Sequence, residues 1–165
     1  MSELLIIVGL ILLNGFLAMS EIALISVRKS NLLNEANKGS RSAKTALSLA
    51  QRPDNFLSTV QIGITIVGIL TGIYSGSKLA DDFSNVLVTW GVHPEYSRIL
   101  SQTVIVVLVT YLTLIFGELV PKRIGMSASS QTARLVARPM YLLSKIALPF
   151  VWLLAKSTSF IFNLF

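Results

Sequence analysis

The sequence predicts an all-α membrane protein, with three transmembrane helices and short juxtamembrane helices on the cytoplasmic side. Three observations predict it. The 165-residue chain is 53% hydrophobic and 13% charged, where a soluble domain carries about a quarter charged residues. Its apolar residues are gathered into runs long enough to cross a hydrocarbon core of about 30 Å. Its Lys and Arg residues are sorted into alternate connections between those runs. The mean hydropathy is +0.70.

The composition also excludes chemistry. With no cysteine, disulfides, iron–sulfur clusters, thiolate zinc and cysteine nucleophiles are all removed. The single histidine, His93, lies in a polar connection, so histidine metal sites and most acid–base catalysis lose their usual residue. No nucleophile–base pairing is visible, and no enzyme is expected. The net charge is +6, and in a membrane protein its placement matters more than its sum.

The first apolar run covers residues 4–27. At about 1.5 Å per residue it spans roughly 36 Å, enough to cross with some tilt. It does not read as a signal peptide: the start, Met1-Ser2-Glu3, is not basic, and no small-residue cleavage site closes the run. It ends at Arg28 and Lys29. Residues 28–54 are polar, and Ala43, Leu47 and Ala50 recur at helical spacing, which predicts a helix lying on the membrane surface up to Pro53.

The second run covers 55–77. Gly68, Gly72 and Gly76 repeat every four residues and share one helix face, a pattern that predicts helix packing. Gly63 lies off that stripe. Residues 78–98 form a polar connection, 99–120 the third run, and 121–139 a second basic segment with no acid.

Lys and Arg number six in 28–54, two in 78–98 and four in 121–139. The positive-inside rule places the first and last of these in the cytoplasm and the N-terminus outside. Residues 140–165 are apolar but carry Lys145, Pro149 and Lys156. That interruption predicts short interfacial helices rather than a fourth span. The C-terminus is then cytoplasmic, in a multi-pass protein of a bacterial-type inner (plasma) membrane. The apolar ending from Phe160 to Phe165 suggests that a soluble domain follows in the native protein.

Two acids lie inside the apolar runs, Glu21 and Glu118. Such residues cost on the order of 2.5–3.5 kcal/mol at a helix centre, and both sit near the cytoplasmic ends of their runs. The third run closes with Phe116-Gly117-Glu118-Leu119-Val120-Pro121-Lys122. Pro121 has no N–H, so the carbonyl of Gly117, four residues back, is left free. A free carbonyl beside a carboxylate suits a hard cation, and a helix C-terminus adds negative partial charge. The same residues also allow a plain role, with Glu118 pairing Lys122 at i,i+4 and Pro121 ending the helix.

Helix one offers Asn14, Ser20, Glu21 and Ser26; helix two offers Ser58, Thr59, Gln61, Gly63 and Thr65. These groups are rich in oxygen and lack imidazole and thiolate. They favour Mg²⁺, Ca²⁺ or Mn²⁺ over zinc or copper, and would equally accept the ammonium groups of an organic cation. The plain reading is interhelical and backbone hydrogen bonding.

The segments Asn14 to Leu24 (NGFLAMSEIAL), Asn55 to Gly63 (NFLSTVQIG) and Phe116 to Lys122 (FGELVPK) resemble the three helix signatures of the CNNM/CorC transporters, also called haemolysin-like proteins. The resemblance covers essentially the whole chain. It implies a dimeric membrane domain of three transmembrane helices plus juxtamembrane helices, followed by a cytosolic nucleotide-binding CBS module that is absent from this sequence. It implies Mg²⁺ as the bound or transported ion, with export from the cytoplasm. It places metal-site elements at Ser20, Gly117 and Glu118, with Pro121 and Lys122 shaping the turn. Further cation-site candidates are Glu21, Gln61, Gly63 and Thr65. The expected partners are the bilayer, a second copy and the CBS module, with no nucleic acid.

One departure bears on substrate. Many members carry Asn after the second-helix glycine, where this chain has Ile64. Thr65 or Gln61 would then stand in for the missing ligand, or water would. The run Gln61-Ile62-Gly63-Ile64-Thr65 resembles bacterial members linked to polyamine export. Three functions are therefore carried forward: Mg²⁺ export, polyamine (putrescine or cadaverine) export on the same scaffold, and a non-transporting anchor or sensor.

Overall fold

A computed structural model describes residues 2–163, without the side chains of 2, 77 and 78. Leu164 and Phe165 of the apolar ending lie outside the described residues. All described elements are helical: α1 (Ser2–Ser26), α2 (Lys29–Asn37), α3 (Arg41–Gln51), α4 (Pro53–Tyr74), α5 (Ala80–Thr89), α6 (Pro94–Leu114), α7 (Val120–Ser127) and α8 (Ser129–Phe162). Two π-helical turns, Ser75–Leu79 and Ile115–Leu119, join α4 to α5 and α6 to α7.

Local chemistry sets the boundaries. Gly39 and Gly91 take φ of +94° and +93°, a left-handed conformation open to glycine at little cost, and each turns the chain between helices. Ser40 Oγ accepts from the Ala43 N–H at 3.3 Å and caps α3. Pro53 and Pro94 stand at the first helical positions of α4 and α6, where a missing N–H costs nothing.

Four helical stretches are long and apolar enough to cross a membrane: Glu3–Ser26, Pro53–Tyr74, Pro94–Ser127 and Ser129–Phe162. The sequence predicts three. The difference lies in α8, which runs unbroken for 34 residues through Pro139 and Pro149. This corrects the expectation of short separate helices within 140–165. Each proline removes one ladder bond, and the neighbouring turns carry the helix past it. Lys145 Nζ sits 5.0 Å from the Tyr141 ring centroid and Lys156 Nζ 4.9 Å from that of Trp152. The two charges therefore rest on aromatic faces one turn back.

Two further readings are corrected. Pro121 does not end the third helix, which continues to Ser127. Part of the predicted polar connection at 78–98 is the helix α5, with Ala80 and Leu87 buried.

The residues group into two compact units. The first holds the chain up to Ala18 together with Ile64–Pro121. Its core is Ile7, Ile11, Ala80, Ile105 and Val109, with Leu79, Phe83 and Leu112 packed against it. Here α5 lies along α6: Ser101 Oγ donates to the Ala80 carbonyl, and the Ser84 and Ser97 hydroxyls meet at 3.0 Å. The second unit holds Met19–Gly63 and the residues from Lys122 on. In it α3 packs along α8, and Ala43, Ala46 and Ala50 of α3 and Ala133 and Ala137 of α8 are buried. Arg134 of α8 pairs with Glu35 of α2 at 2.5 Å. Ser144 Oγ donates to Thr59 Oγ1 at 3.4 Å.

Candidate functional site

The segment Ile115–Leu119 (IFGEL) adopts a π turn. The N–H of Val120 donates to the carbonyl of Ile115, five residues back. Such turns insert one residue into the helix and free carbonyls from the regular ladder. Two residues of the segment's surroundings explain it. Gly117 tolerates close neighbours, and Pro121 cannot donate to the Gly117 carbonyl. The predicted helix break is thus a widened turn inside a continuing helix, and it falls on the Gly-Glu-x-x-Pro motif.

The Gly117 carbonyl receives no N–H from Pro121, yet it is not free, which corrects the sequence expectation. Asn14 Nδ2 of α1 donates to it at 3.1 Å in a buried contact. The approach of α1 depends on two glycines. A Cβ at Gly15 would lie 2.7 Å from the Phe116 carbonyl oxygen and 2.9 Å from Pro121 Cγ. A Cβ at Gly117 would lie 3.2 Å from Asn14 Nδ2 and 3.3 Å from the Ile11 carbonyl oxygen. Side chains at either position would push α1 off the turn.

Gly117, Glu118, Pro121 and Thr65 belong to the first unit. Gly117 is buried, Glu118 and Pro121 are half-buried, and Thr65 is exposed. The turn brings Gly117, Glu118 and Pro121 together. Asn14 joins them, a residue noted among the polar groups of helix one but absent from the ligand set that the resemblance implies. Its signal is an amide set in an otherwise apolar run.

Ser20, Glu21, Gln61, Gly63 and Lys122 belong to the second unit. Ser20 is fully buried, Glu21, Gly63 and Lys122 are half-buried, and Gln61 is exposed. Here α7 meets α1 closely. A Cβ at Gly125 would lie 2.7 Å from the Met19 carbonyl oxygen and 2.5 Å from Ile22 Cγ2. The backbone around Ser20 and Glu21 is held by that contact.

A Cβ added at Gly68, Gly72 or Gly76 meets nothing within 4 Å. Within this chain the close helix approaches are made at Gly15, Gly117 and Gly125. Gly68 and Gly72 instead line a cavity of about 230 Å³ with Thr71, Ser75, Thr110 and Thr113.

Among the described residues, no group of three or more His, Cys, Asp or Glu could hold a metal. A cation at the turn would therefore take its other ligands from carbonyl, hydroxyl and amide oxygens. Such a donor set suits a hard cation that keeps part of its water, or an ammonium group.

The family described as Cyclin M transmembrane N-terminal domain (CNNM) matches residues 5–165. A Synechocystis protein, UPF0053 protein sll0260, is 45% identical over 99% of the chain and 36% of its own length. The Escherichia coli protein named Polyamine export protein is 33% identical over 100% of the chain and 37% of its own length. The Bacillus subtilis UPF0053 protein YhdP is 29% identical over 94% of the chain and 35% of its own length. The chain spans about a third of the length of the curated relatives it matches.

Proposed function

The chain belongs to the CNNM family of cyclin M transmembrane domains, and from that premise we propose that it is the membrane part of a cation exporter that binds Mg²⁺ at the Ile115–Leu119 turn. Its four long apolar helices and its family make it a multi-pass membrane protein. The observation that carries the proposal is the π turn itself. It places the Gly117 carbonyl, to which Pro121 cannot donate and to which Asn14 Nδ2 does, one residue before Glu118. Interrupted helices whose loosened carbonyls meet a carboxylate are a recurrent way to bind cations in transporters. Ser20 is a separate candidate, named by the family resemblance alone. The site opens to the cytoplasm by the charge rule applied to residues 28–54 and 121–139. A homodimer and a cytosolic nucleotide-binding module belong to the same proposal, as do the outside N-terminus and, with α8 lying along the membrane face instead of crossing it, the cytoplasmic C-terminus.

A second reading, polyamine export, is favoured by a specific observation: a relative 33% identical over the whole chain is named Polyamine export protein. The Gly117 carbonyl already accepts an N–H donor from Asn14, as it would from an ammonium group.

Inside-out vesicles holding the full-length protein test both readings. Mg²⁺ uptake that is lost in Glu118→Gln supports Mg²⁺ export. Uptake of putrescine without Mg²⁺, lost in the same variant, moves the assignment to polyamines. Absence of both fluxes in the wild type overturns transport and leaves the anchor or sensor role.

A further inference from the structure

Among the described residues, two buried polar side-chain atoms of the first unit find no hydrogen-bond partner, Asn14 Oδ1 and Thr113 Oγ1. Native structures pair nearly all such atoms, because an unpaired one has given up its water and gained nothing in return. The two side chains flank the same glycine. The Cβ position at Gly117 is 3.2 Å from Asn14 Nδ2 and 3.4 Å from Thr113 Cγ2. Asn14 is 7% exposed, and the direction of its amide is set by the Nδ2 bond to the Gly117 carbonyl. Its oxygen is therefore an acceptor that needs a donor or a cation from outside the protein. Thr113 also lines the 230 Å³ cavity between α4 and α6, beside Thr71, Ser75 and Thr110.

We propose that Asn14 Oδ1 and Thr113 Oγ1 form a second, uncharged station for the transported cation, between the π turn and the hydroxyl-bearing cavity of α4 and α6. The inference rests on the cation-transport reading and extends it to the path beyond Glu118. An amide oxygen and a hydroxyl replace water ligands of a hydrated cation one for one. Neither carries charge, so the cation is held weakly enough to leave, as conduction requires. The hydroxyls of Thr71 and Ser75 donate to the Val67 and Gly72 carbonyls, which leaves their oxygens as acceptors along the same wall. The ligand is a small cation that arrives with its own hydrogens, either hydrated Mg²⁺ or a primary ammonium.

The test uses the full-length protein in two assays, with MgCl₂ and putrescine as separate arms. One assay is ligand-dependent thermal stabilisation in detergent, which reads binding at Glu118. The other is flux in proteoliposomes. Thr113→Val keeps the Cγ2 contact with Gly117 and removes only the hydroxyl. It is expected to leave the apparent Kd within about twofold and to lower flux of the transported cation by about tenfold, equivalent to roughly 1.4 kcal/mol of barrier. Thr113→Ser, which restores a hydroxyl, is expected to recover most of that flux. Should Thr113→Val fold poorly, Thr113→Ala is read in its place. Flux equal to wild type in the variant that lacks the hydroxyl overturns the second station and leaves the Glu118 site standing. Parallel loss of Kd and flux also overturns it, because Thr113 would then serve the first site. A wild type that neither binds nor moves either cation overturns the transport reading, and this station with it.

Discussion

The side-chain amide of Asn14 holds the Gly117 carbonyl at 3.1 Å across 103 residues of sequence. Pro121 leaves that carbonyl without its usual N–H donor, and Gly15 lets α1 come near enough to reach it. One hydrogen bond thus ties the first helix to the turn that carries Glu118.

Removing the bond should loosen the turn. Asn14→Ala leaves the Gly117 carbonyl buried without its donor, at a cost of about 1–3 kcal/mol. The expected result is a clear fall in the thermal midpoint of the purified protein. An unchanged midpoint would mean that the turn holds its shape without Asn14.

The glycines separate into two groups with opposite expected behaviour. Gly15→Ala places a methyl 2.7 Å from the Phe116 carbonyl oxygen, and Gly125→Ala places one 2.7 Å from the Met19 carbonyl oxygen. Both neighbours are backbone atoms that yield little, so each variant should lose about 1–3 kcal/mol. Gly72→Ala meets nothing within 4 Å and gains helix propensity of up to about 1 kcal/mol. Its midpoint should hold or rise. Denaturation of the three variants side by side checks the ordering.

Much of this architecture is legible in the sequence, and the losses have physical causes. The apolar runs that become α1, α4 and α6 are recognisable because crossing a bilayer demands a minimum apolar length. The Gly117–Glu118–Pro121 element is legible because a missing proline N–H frees a carbonyl at a known spacing. The π turn is not legible, since a missing proline N–H does not say whether the helix stops or widens, and the Asn14 contact comes from far away in sequence. The stripe of Gly68, Gly72 and Gly76 marks a face, but spacing alone does not say whether anything packs on it. Gly15 and Gly125 pack tightly and carry no repeat to announce them. In α8, Pro149 and the two lysines read as interruptions. Each proline costs one hydrogen bond, and each lysine lies over a ring four residues back.

The absence of cysteine makes the membrane topology directly measurable. Single cysteines at Ser30, Ser127 and Ser157, all exposed, should react with an impermeant thiol reagent only from the cytoplasmic side. Glu95→Cys, also at an exposed position, should react only from outside. Labelling of Ser157→Cys from outside would show that α8 crosses the bilayer, and would move the C-terminus to the outer face.

The central claim is that a cation binds the π turn through Glu118 and the Gly117 carbonyl. Its most direct test is thermal unfolding of the full-length protein in detergent across a Mg²⁺ titration, with Glu118→Gln alongside. A ligand that binds only the native state stabilises it by about 2.7 kcal/mol at about 100 Kd. The account predicts a rising midpoint for the wild type and a flat one for Glu118→Gln. Equal stabilisation of both proteins would place the cation elsewhere and contradict the site.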